Sequence, residues 1–174
     1  MTTANRTPPI RLQIMLALQA LLEEISELDG DAFTLAEKVH RNRSILGEDV
    51  TGSPPIIAII EAPRPDAAFF AGEDNKMRKD LWTLMIQGQA SDDRMDTSDD
   101  IWFLCQDVER RLARIGKTRP ETGKPYYPES YMLGGKITTV EIAPPVVRPA
   151  EAQVSRNSFF YIPIRVGVAL EIGE

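Results

Sequence analysis

Apolar and non-apolar positions alternate through the last stretch of the chain. From Phe160 the even-numbered residues are Phe160, Ile162, Ile164, Val166, Val168, Leu170 and Ile172. Between them stand Tyr161, Pro163, Arg165, Gly167, Ala169 and Glu171. A period of two marks a strand with one face buried. A long final strand is therefore expected, with its apolar row turned toward helices. Pro163 cannot donate to a ladder, so it points to an edge or a bulge. Arg165 and Glu171 fall on the opposite face.

Helical spacing appears in two places. Ile10, Ile14, Leu18, Leu21, Ile25 and Leu28 predict a helix from about Pro9 to Leu28, stopped by Gly30. Leu12, Met15, Leu16 and Leu22 lie outside that stripe, so the apolar surface is wider than one packing face requires. Either the helix is wedged between a sheet and a loop, or its extra flank meets another subunit. A second stripe, Ile101, Leu104, Cys105, Val108, Leu112 and Ile115, predicts a helix from Asp99 to Ile115. Thr97 and Asp100 have capping-box spacing, and early acids suit the helix dipole.

The remaining strands are shorter. A polar strand is expected near Val39. The run Ile56 to Ile60 is apolar throughout, as in a central strand covered on both faces. Leu81 to Ala90 reads as its hairpin partner, and Ile137 to Ile142 as a fourth strand. Residues 1–8 read as a loose tail, and 62–77, 116–134 and 143–157 as long connections. Within the first of these, Phe69 and Phe70 either anchor the loop or form an exposed contact. The expected fold is α+β in one domain, 1–174: a single, mostly antiparallel sheet of about five strands packed by two helices, in the order α-β-β-β-α-β-β. No internal repeat is visible.

Composition narrows the function classes. The 174 residues are 43% hydrophobic and 26% charged, ordinary for a globular protein. A net charge of −6 argues against affinity for a nucleic-acid backbone, which calls for a cationic footprint. The one cysteine, Cys105, permits no internal disulfide and fits a reducing cytosol. Residues 1–9 lack the apolar core of a signal peptide, and the longest apolar stretch, Ile14 to Leu22, is too short to span a bilayer.

Motifs of catalysis do not assemble. Gly116-Lys117-Thr118 resembles the end of a phosphate loop, but Arg111 stands where the earlier glycine belongs and a helix precedes it. The acids Asp92, Asp93, Asp96, Asp99 and Asp100 lack calcium-loop spacing and read as a solvated approach to the second helix. His40 is the only histidine, so a serine–histidine–acid or cysteine–histidine arrangement must use it, and the sequence does not exclude a Cys105–His40 dyad. Zinc spacing is absent. Arg110, Arg111 and Arg114, interleaved with Asp107 and Glu109, read as a salt-bridged face. No cofactor is expected. A small hydrolase or ligand-binding domain using an acid pair remains as an alternative that rests only on the number of carboxylates.

The segment His40-Arg41-Asn42-Arg43, then a loop, then Pro54-Pro55-Ile56-Ile57-Ala58-Ile59-Ile60, follows one N-terminal helix. In this the chain resembles the tail terminator (tail completion) proteins of long-tailed bacteriophages and related tail-like particles. The resemblance covers most of the chain. It implies a virion subunit, made in the host cytoplasm, that forms a homohexameric ring at the head-proximal end of the tail. Such a ring caps the tail tube, stops its polymerisation and meets the head-completion or connector protein. A head-completion or tail-to-head joining protein is the nearest alternative. No catalytic residue is implied.

A ring needs two unlike patches on each subunit. Leu12, Met15, Leu16, Leu22, Phe69 and Phe70 are the candidates for them, and the final strand is a further place for a subunit boundary. Acidic walls let a DNA duplex slide through a lumen without sticking. Asp92, Asp93 and Asp96 are the candidate lumen acids.

Overall fold

Two strands of equal length form the spine of the molecule. In the computed structural model, which describes residues 7–41, 53–62, 77–91, 99–150 and 157–171, β3 (Met77–Ser91) and β6 (Asn157–Glu171) are antiparallel and pair without interruption from Met77↔Glu171 to Ser91↔Asn157. The other elements are α1 (Ile10–Glu23), β1 (Val39–Arg41), β2 (Ile56–Glu61), α2 (Asp99–Leu112), a short α3 (Met132–Gly135), β4 (Thr139–Ile142) and β5 (Val146–Arg148). The sheet runs β1-β2-β3-β6-β4, with β5 also paired to β6. The β1–β2 pairing is parallel and the others are antiparallel.

The fold is thus α+β, a single mixed sheet with its helices packed on one face. Alternation decides which side chains meet them. Ile57 and Ile59 of β2, Trp82, Leu84 and Ile86 of β3, and Phe160 through Val168 of β6 at even positions join one buried cluster. Ile14, Leu18 and Leu21 of α1 and Ile101, Leu104, Val108 and Leu112 of α2 complete it. Each such aliphatic chain, fully removed from water, stabilises the fold by roughly 1.5–3 kcal/mol. On the other face Ile56 and Ala58 are buried separately, so β2 is covered on both sides, as its unbroken apolar run predicts.

Several boundaries differ from the expected ones. α1 ends at Glu23, not Leu28. The Ser26 hydroxyl accepts the Leu28 N–H at 3.2 Å, starting a 3-10 turn at Glu27–Asp29 that ends on Gly30 in the left-handed region. Serine offers the backbone a local alternative to the helix, and the break swings Leu28 out of the stripe: it is 97% exposed. The connection 143–157 contains β5, and 116–134 contains the start of α3. β3 begins at Met77, inside the connection expected over 62–77. The second helix ends as α-helix at Leu112, with a 3-10 turn over Ala113–Ile115.

The final strand is internal, which corrects the edge position that Pro163 suggests. β3 lies on one side of it, and β4 and β5 on the other. The Pro163 carbonyl accepts the Ala143 N–H at 2.9 Å, between the end of β4 and the start of β5. The N–H and C=O of one antiparallel strand residue point the same way. The missing donor therefore faces the break between two short strands, and the β3 ladder is intact. A central strand tolerates this proline because its neighbour is split there.

Gly88 is required by packing. It is paired with Phe160, and a Cβ on it would fall inside the Phe160 ring, which is fully buried. The ring lies over the glycine and has no free space to move into. Gly88→Ala is expected to destabilise the fold by about 1–3 kcal/mol through overpacking. Urea denaturation checks this, and adding Phe160→Leu should recover part of the loss.

Candidate assembly surfaces

A largely buried charged cluster joins the two long helices. Arg111 is 4% exposed; its Nη1 donates to Glu24 Oε2 at 3.0 Å, and its Nη2 to the Glu24 carbonyl at 3.1 Å and Asp31 Oδ2 at 3.2 Å. Arg110 Nη2 donates to Asp31 Oδ1 at 2.7 Å and also to Asp107. Asp107 in turn accepts the Ala32 N–H at 2.8 Å, and Asp31 accepts the Ser26 N–H at 3.1 Å. A planar guanidinium with several fixed donors suits this bridging of side chain and carbonyl. The cluster fixes the turn after α1 on the end of α2. Its polar atoms are spent on one another, which makes it a brace. Two of the three arginines expected on a salt-bridged face are in it.

The apolar candidates separate. Leu12 and Leu16 lie exposed on the outer side of α1. Met15 and Leu22 do not belong to that flank: they are 3% and 0% exposed and sit in the core. α1 is clamped between the sheet and α2, so its buried arc is wide enough to include them. Phe69, Phe70, Asp92, Asp93 and Asp96 lie outside the described residues, as does Thr97. Two aromatics outside the helical stripe are the largest exposed apolar groups on α2: Trp102, 55% exposed, and Phe103, 54%. The available signal was their position, one and two residues off a stripe that is already complete.

A second polar feature follows α2. Gly116 ends the helical segment, so a helix and not a strand leads into it, and Gly116-Lys117-Thr118 is a helix stop. The chain then folds into a small hairpin. Thr118 bridges Pro125, the Tyr126 N–H donates to the Lys117 carbonyl at 3.0 Å, and the Arg119 N–H donates to the Lys124 carbonyl at 2.8 Å. Gly123 takes φ 65° at the tip, where a left-handed residue is needed. Lys117 and Arg119 lie over the Tyr126 ring at 5.1 and 5.4 Å, and Arg114 over Tyr127 at 4.8 Å.

The remaining nucleophile is out of reach of the histidine. Cys105 faces the core between α2 and the sheet, whereas His40 is paired with Ala58, whose side chain belongs to the opposite face. The sheet stands between them, so no dyad forms. Burial pushes the Cys105 thiol up to about 12, and the Glu109 carboxylate adds to the rise. Among the described residues no three His, Cys, Asp or Glu side chains are grouped to hold a metal ion, and no helix is long and apolar enough to cross a membrane. Compared with known proteins, the chain matches no protein-family model, and no curated protein shows significant similarity to it.

Two outcomes follow from these positions. Arg111→Met leaves Asp31 short of a partner and is expected to cost about 2–4 kcal/mol in urea denaturation; Arg111→Lys should recover only part, because an ammonium cannot span the same acceptors. For Cys105 the sign is set by its raised value. The unfolded thiol ionises near 9.0 and the native one only near 12, so this group's contribution to stability falls as pH rises between those values. Cys105→Ala should lose that component. At pH 8 a thiol reagent should label the native chain only as fast as it opens; labelling at the rate of free cysteine would contradict the burial.

Proposed function

We propose that this chain is a structural assembly subunit, a tail terminator that forms a homohexameric ring on the head-proximal end of a long-tailed phage tail. The ring ends polymerisation of the tail tube and joins the tail to the head-completion or connector protein. DNA passes through its lumen without specific binding.

The observation that carries this reading is apolar surface left over on a finished subunit. The core is closed by α1, α2 and one sheet face, yet Leu12 and Leu16 on α1 and Trp102 and Phe103 on α2 stay in water. Scattered exposed leucines are ordinary, but neighbouring large aromatics on an exposed helix mark an interaction site. The element order supports the reading as well: one helix, a basic strand at Val39–Arg41, a hairpin, a second helix and strands to the end. β1 and β4 stand at the two ends of the sheet order, and two unlike edges suit a head-to-tail ring. The acidic balance suits a DNA channel.

Light scattering on the purified chain, alone and mixed with tail-tube protein, tests the reading. The expected result is a ring-sized species that binds one end of the tubes and halts their growth. A chain that stays monomeric and has no affinity for tubes would sink it. Binding to the head-side connector without binding to tubes would assign the chain to head completion instead. Trp102→Ala with Phe103→Ala should weaken assembly at least tenfold and leave thermal stability nearly unchanged, since neither ring is buried in the subunit.

A further inference from the structure

The hairpin after α2 gathers positive charge on an acidic chain. Residues 114–127 carry four cations, Arg114, Lys117, Arg119 and Lys124, and one acid, Glu121: net +3, which leaves −9 to the rest of the chain. None of the four has a carboxylate partner among the described residues, whereas Arg110, Arg111 and Arg165 are all ion-paired. Lys117 and Arg119 are instead held over Tyr126, which is itself 45% exposed. The hairpin therefore presents a half-exposed aromatic ring with a cationic rim, fixed in place by its own backbone bonds.

The same chain carries the complement. Residues 23–37 contain six acids and no lysine or arginine. Glu24 and Asp31 are engaged by Arg110 and Arg111, but Glu27, Asp29 and Glu37 are exposed and unpaired among the described residues. Between Glu27 and Asp29 stands Leu28, the most exposed large apolar side chain described. The turn is rigid: Ser26, Gly30 and Asp31 fix it, and the arginine brace holds it to α2. No ion pair among the described residues joins this turn to the hairpin of its own chain.

We infer that the Lys117–Tyr126 hairpin of one copy docks on the Glu27–Asp29 turn of the next, with Leu28 against Tyr126 and the charges forming the rim. This inference rests on the ring reading and assigns it a contact. An apolar centre inside a charged rim is the ordinary anatomy of a protein interface, and opposite charge on two unlike patches gives a head-to-tail contact its direction. Nucleic acid is the less suitable occupant. The net charge of −6 repels phosphates.

A charge-swap experiment tests this in the full chain by analytical ultracentrifugation. Lys117→Glu with Arg119→Glu makes one variant, and Glu27→Lys with Asp29→Lys the other. Each alone is expected to assemble at least tenfold more weakly than the wild-type chain, and an equimolar mixture to recover assembly with the two variants in equal amounts. Raising salt from about 0.05 M to about 0.5 M should weaken wild-type assembly. Leu28→Asp gives an independent disruption that leaves the hairpin untouched, and circular dichroism verifies that each variant is folded. If the wild-type chain assembles and every variant assembles equally well, the inference fails and the ring reading stands. If the wild-type chain does not assemble, both fail. Oligonucleotide binding abolished by the hairpin variant, with assembly unaffected, would also overturn it.

Discussion

The uninterrupted pairing of β3 with β6 is the constraint on which the other contacts depend. Its register sets Gly88 beneath Phe160 and puts every even residue from Phe160 to Val168 on the helix side. A slip by one residue would turn that whole row outward. β2, β4 and β5 all attach to this pair, and α1 and α2 cover the one face it makes apolar. The two spine strands come from distant parts of the sequence, so the sheet is a product of long-range closure. Pro163 survives inside it because its missing donor falls where β4 gives way to β5.

Charge is sorted into two kinds of work. Near the junction of α1 and α2, Arg110 and Arg111 meet Glu24, Asp31 and Asp107 with most of their polar atoms satisfied. Such a cluster tolerates burial only as a set, since one unpaired member would be costly. A few residues further on, Lys117, Arg119 and Lys124 have no such partners among the described residues. The brace and the hairpin follow each other along the chain but differ in what they leave available. One fixes the shape of the Ser26–Asp31 turn, and the other offers its charge outward.

Five exposed apolar groups follow the same division. Leu12, Leu16, Trp102 and Phe103 lie on the outer sides of helices whose inner sides are full, and Leu28 stands on the braced turn. These positions add nothing to the core of one subunit. Contact with another surface would give them a role, and a ring-forming subunit uses surfaces of this kind. Cys105 and His40 lie on opposite sides of the sheet.

Local pattern accounts for most of the architecture. Period two in β6, the apolar run of β2 and the two helical stripes are each readable because burial repeats with the geometry of the element. The α+β class and the single sheet follow from their order. Pattern fails where a tertiary partner changes the outcome. Leu28 has the right spacing for the α1 stripe, but Ser26 and Asp31 turn the chain before it. Met15 and Leu22 lie off the stripe, yet the sheet and α2 close over them. β5 is too short to show a period, and the parallel partner of β2 is invisible until β1 is laid beside it. The hairpin's unpaired cations could be counted along the chain, but whether a cation has a partner is decided only when distant carboxylates are brought near or kept away. Periodicity is a property of neighbours in sequence, and so determined the elements. Pairing, exposure and charge balance are properties of neighbours in space, and so belonged to the folded chain.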